Sequence, residues 1–102
     1  MAEVGLSLVG EVKSRTGLKR VFQSIRHEID EARGRPDLTE LYCKAGDIIA
    51  LTNTPSWQDQ WGTEAARLRG LARKEFVTTV RKINRRARHL GTEADYDPRW
   101  ER

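Results

Sequence analysis

From Trp57 to Leu90 the apolar residues never fall out of step. Trp57, Trp61, Ala65, Leu68, Ala72, Phe76, Val80, Ile83, Ala87 and Leu90 follow one another at intervals of three and four residues. A strand would need alternation by two. Only an α-helix puts residues so spaced on one face, and an apolar face that long has to be buried against other elements. The phase runs through Gly62 and Gly70, so the pattern predicts one helix of up to 34 residues. At roughly 1.5 Å per residue it would span about 50 Å, long for a small domain. A bend at Gly62-Thr63 is the natural place for it to break, because glycine costs about 1 kcal/mol against alanine inside a helix. Gly91 is placed to close it.

Two shorter helices supply the opposing faces. Between about Thr16 and Arg33, Leu18, Val21, Phe22, Ile25, Ile29 and Ala32 form an i, i+3, i+4, i+7 stripe. Gly34 is expected to supply a left-handed cap, and Pro36 to prevent continuation. A second helix is expected to open at Asp37, with Glu40 completing a capping-box-like pair. Leu38, Leu41, Tyr42, Ala45, Ile48, Ile49 and Thr52 then line one face. Asn53-Thr54-Pro55 ends it, with Ser56 as the cap of the next helix. The first fifteen residues fit either a short helix or an extended arm, since Val4, Leu6 and Leu8 alternate while Leu8, Val9 and Val12 keep helical spacing. The tail, residues 92–102, is polar and acidic despite Tyr96, Pro98 and Trp100, and its composition predicts disorder. The fold expected is all-α: a small helical bundle with a long C-terminal basic amphipathic helix. Residues 1–91 form its single domain.

A chain of 102 residues with 37% hydrophobic and 33% charged residues has a lean core and room for only one. No run of 18 apolar residues is present, and the start, with Glu3 and no basic leader, does not read as a secretory signal. The lone Cys43 excludes an internal disulfide, fits a reducing cytoplasm, and reads as a small buried residue. Together with the distant His27 and His89 it offers too few ligands for a metal. No Gly-rich phosphate loop, HExxH, CxxC or serine elbow occurs. The expectation is a protein without cofactor, metal or catalytic residues, acting by binding.

What it binds is suggested by charge. Residues 1–60 carry eight Lys/Arg against nine Asp/Glu, residues 61–91 nine against two, and the tail two against four. Nearly all the basicity of a net +4 chain therefore sits on the long helix. With Phe76 at zero and about 100° per residue, Arg67, Lys74, Arg81, Arg85 and Arg88 fall opposite the apolar stripe, with Lys82 and Arg86 flanking them. Ordinary solvated faces mix signs into i, i+4 pairs; here no carboxylate follows Glu75 on the helix. Such a ridge suits a phosphate backbone, because each neutralised phosphate releases condensed counterions. Lys19, Arg20 and Arg26 would extend it, with Arg26 read as exposed. Trp57 and Trp61 share the core phase and are expected to be buried, whereas Trp100 is a candidate anchor into a neighbouring subunit. The acidic tail is placed to fold back and screen the ridge.

A helix-turn-helix reads base edges with the first residues of its second helix. Here those are Trp57-Gln58-Asp59-Gln60-Trp61, neutral to acidic, which argues against sequence-specific regulation. A short, arginine-rich, all-helical chain with a basic ridge instead resembles the small subunit of multi-subunit (class 1) CRISPR effector complexes. The likeness covers Thr16 to Leu90 and is one of architecture and charge. It implies several copies along a ribonucleoprotein, touching nucleic-acid backbone without reading sequence. The alternative is a helical assembly adaptor, of the kind found among phage structural proteins, whose ridge meets an acidic protein.

Overall fold

The structure, a computed structural model, describes residues 15–92 and 95–99. The expected N-terminal helix or arm and the expected Trp100 anchor lie outside these residues. Four α-helices follow in order: α1 (Arg15–Glu31), α2 (Arg35–Thr52), α3 (Pro55–Trp61) and α4 (Ala65–His89). A single 3-10 turn, Gly62–Glu64, joins α3 to α4. The expected all-α bundle is what forms.

Side-chain pairs give the directions. Arg26 and Asp30 of α1, and Ala32 just beyond it, meet Glu75, Lys82 and Arg86 of α4 in the same order, so α1 and α4 run parallel. Tyr42 within α2 and Asn53 at its end meet Phe76 and Arg69 in reverse order, so α2 runs antiparallel to α4. The result is an up-down-up bundle in which the short α3 links α2 to α4 and packs on both. Leu18, Phe22, Ile25 and Ile29 from α1, Leu38, Ala45 and Ile48 from α2, and Ala72, Val80, Ile83 and Ala87 from α4 are almost fully buried. These are the residues that the helical spacing placed on the inner faces.

The long apolar stripe is divided where the glycine allowed it. Gly62 adopts φ 53° and ψ −123°, a conformation that a residue with a Cβ resists. The chain turns there, so Trp57 returns to the core instead of projecting past it. Gly70, by contrast, sits mid-helix with open space where a Cβ would go. The two positions therefore predict opposite outcomes. Gly62→Ala should lower unfolding stability by about 1–2 kcal/mol through backbone strain alone, while Gly70→Ala should raise it by about 0.5–1 kcal/mol. Chemical denaturation of both variants checks this, and two changes of the same sign would contradict the break at Gly62.

The caps differ in detail from expectation. Gly34 is extended (φ −172°, ψ −177°) and so gives no left-handed cap. The second helix opens at Arg35 with Pro36 in its first turn, so Asp37 lies inside the helix and is not its N-cap. Its carboxylate instead reaches back to accept from the Arg33 amide at 2.9 Å. The cap of α3 is Thr54, not Ser56: the Thr54 hydroxyl accepts from the Trp57 amide, and Pro55 fills the first helical position, where no N–H is needed. Gly91 behaves as expected. At φ 76° it lets its own amide reach Arg88 O and the Thr92 amide reach Ala87 O, a Schellman closure.

The tail, expected to be disordered, is docked over its described residues 95–99. The Asn84 side-chain amide accepts from Tyr96 N at 2.8 Å and donates to Tyr96 O at 2.9 Å. One side chain thus pairs both backbone groups of Tyr96. The Tyr96 ring lies 4.9 Å from the Tyr42 ring, its hydroxyl shares a hydrogen bond with Thr39, and the Tyr42 hydroxyl donates to Asp97 O at 3.0 Å. Composition underrates this segment because one aromatic residue, met by a waiting aromatic and an amide, supplies the contacts.

Candidate nucleic-acid interface

Helix α4 presents three lengthwise sectors, and its neighbours decide what each does. The inner sector is the core. Within the solvent sector Arg67, Lys74, Arg81, Arg85 and Arg88 are all exposed. No carboxylate among the described residues pairs with Lys74, Arg81, Arg85 or Arg88, while Arg67 has Glu64 at 3.9 Å in an exposed i, i+3 contact that is worth little in water. These five residues form one continuous cationic edge.

The third sector, at about −80° to −120° on the same wheel, belongs to α1. Lys82 stands there and holds Asp30 at 3.1 Å. Arg86 reaches over the end of α1 and donates from Nε (3.3 Å) and Nη2 (2.9 Å) to Ala32 O. The last carbonyls of a helix lack intrahelical partners, so this guanidinium caps α1. The seven basic residues grouped by sequence thus divide into five that face solvent and two already engaged by α1.

Arg26 needs a larger correction. Read as exposed, it is largely buried, with only 19% of its side chain accessible. Its guanidinium donates to Glu75 Oε1 at 3.0 Å and to Thr79 Oγ1 at 3.2 Å, joining α1 to α4. On the α1 wheel Arg26 lies at the edge of the apolar stripe, not opposite it, and an edge position is covered or open according to where the next helix packs. Lys19, two turns earlier on that same side, is exposed. Arg73, outside the group expected from spacing, is exposed as well. Its place on the wheel, towards α2, hid it.

The remaining candidates are less central. Trp57 is buried as expected, with its ring 6.3 Å from that of Trp61, which is half-buried. The Trp57 indole N–H finds no acceptor among the described residues. Cys43, expected inside, is exposed on α2. His27 is exposed beside Glu31, and His89 is exposed in the last turn of α4 with Arg86 and Arg88. Burial raises the Tyr42 pKa above the usual phenol value, helped by nearby Asp97 and Cys43. Among the described residues no His, Cys, Asp and Glu cluster fit to hold a metal occurs. None of the helices described is long and apolar enough to cross a membrane.

Comparison with protein-family models, with curated proteins and with solved structures finds no match. The surface of the chain itself is therefore the guide to its role.

Proposed function

We propose that this chain is a non-catalytic subunit of a larger ribonucleoprotein that binds nucleic-acid backbone through the α4 edge. One observation carries the reading: Lys74, Arg81, Arg85 and Arg88 stand exposed along one rigid helix, without carboxylate partners among the described residues. Like charges so close repel, and that cost is relieved when phosphates sit between them. Guanidinium and ammonium groups spread along a helix can meet successive phosphates, and contacts to phosphate oxygens carry no sequence information, so binding would be independent of sequence. Bidentate guanidinium groups also fit phosphate oxygens well. The exposed, unpaired Cys43 suits a reducing, cytoplasmic setting. The resemblance to the small subunit of class 1 CRISPR effector complexes is of the same kind, a matter of helical architecture and charge.

Titration of the purified chain against labelled mixed-sequence single strand and duplex, from about 50 to about 300 mM salt, tests this. Five phosphate contacts give an expected slope of log K on log salt of about −3.5 for single strand or −4.5 for duplex, with no sequence preference. Absence of binding at the lowest salt would sink the reading and turn attention to an acidic protein partner.

A further inference from the structure

We infer that the docked tail is an electrostatic gate on the α4 edge, so that nucleic acid and tail compete; this rests on the function proposed above. Asn84, which holds the tail by its backbone, lies three residues after Arg81 and four before Arg88. Residues so spaced are neighbours on one helix face. The clasp therefore fixes the chain beside the cationic edge. Tyr96 turns inward onto Tyr42, and the residues on either side of it, Asp95 and Asp97, are exposed. Two carboxylates are thus carried on the segment that the Asn84 clasp sets on this side of α4, and neither pairs with an arginine of α4 among the described residues; Arg99, 3.7 Å from Asp97, offsets part of their charge. Charges on that segment lower the potential felt by a phosphate that comes within the Debye length, about 8 Å at physiological salt.

The clasp is also built to open. It consists of four hydrogen bonds and one ring pair between half-buried tyrosines. Only three residues separate Thr92 from Tyr96, which keeps the tail at high effective concentration over its site. A ligand with many phosphates can displace such a contact, and the tail recloses when the ligand leaves.

The test uses the full chain and a labelled mixed-sequence strand. Tyr96→Ala should release the tail and tighten binding about two- to fivefold near 0.1 M salt, with a steeper salt slope. Asp95→Asn with Asp97→Asn should give the same gain with the clasp intact, because Asp97 meets α2 through its backbone carbonyl and an asparagine oxygen can still accept from the Arg99 amide. Amide hydrogen exchange at position 96, where the N–H is bonded to Asn84, reports whether the tail is docked. Faster exchange in Tyr96→Ala without a gain in affinity would overturn the gate and leave the nucleic-acid reading standing. An amide that stays protected in that variant would overturn the clasp. Failure of the parent and both variants to bind at low salt would remove the nucleic-acid reading, and the gate with it.

Discussion

Phe22→Ala is expected to cost about 3–5 kcal/mol of folding stability, the range for emptying a fully buried aromatic site. Phe22 is completely buried and is the largest side chain so enclosed. A domain of this size has about 5–15 kcal/mol in total, so the variant would be marginal, with a melting temperature lower by about 15–30 °C. The effect is large because α1 contributes most through one stripe, and Phe22 stands at its centre between Leu18, Ile25 and Ile29. Loosening α1 also loosens what it holds in place: Glu75 through Arg26, Lys82 through Asp30, and Arg86 through Ala32. Urea denaturation followed by circular dichroism measures the loss. A change under about 1 kcal/mol would mean that α1 does not pack as described.

The second large effect is on binding. Arg81→Ala combined with Arg85→Ala is expected to weaken affinity for all nucleic-acid sequences alike, by about ten- to a hundredfold near 0.1 M salt. The salt slope should become shallower by about 1.4–1.8, because two fewer phosphates are neutralised. Both residues are exposed and unpaired among the described residues, so the fold should be unaffected. The contrasting pair is Lys82→Ala with Arg86→Ala. Lys82 is paired with Asp30, and Arg86 caps the Ala32 carbonyl, so this pair should reduce stability by about 1–2 kcal/mol and leave the slope nearly unchanged. The two results together separate residues that meet solvent from residues that meet α1. Equal salt slopes for the two pairs would mean that the division drawn between them is wrong.

Much of this architecture is written locally. Spacing by threes and fours identifies α1, α2 and α4 and their inner faces, because a helix turns by a constant angle and needs no knowledge of its neighbours. The break at Gly62 and the closure at Gly91 are local too, since each depends on one residue's freedom to take positive φ. The sector opposite the apolar stripe is equally secure: none of the described helices packs there, so Arg67, Lys74, Arg81, Arg85 and Arg88 are exposed as their spacing requires. Only the tertiary structure decided the edges of each stripe. Arg26, Lys82 and Arg86 lie at such edges, and the parallel packing of α1 against α4 engages all three. Cys43 is exposed because it stands opposite the apolar stripe of α2, so helical spacing already placed it outside and only its residue type suggested burial. The docking of the tail was out of reach, because Tyr96 is held by Thr39, Tyr42 and Asn84, which are brought together only when α2 lies beside α4. Periodicity belongs to a single helix, whereas coverage at its borders depends on the position of the next one.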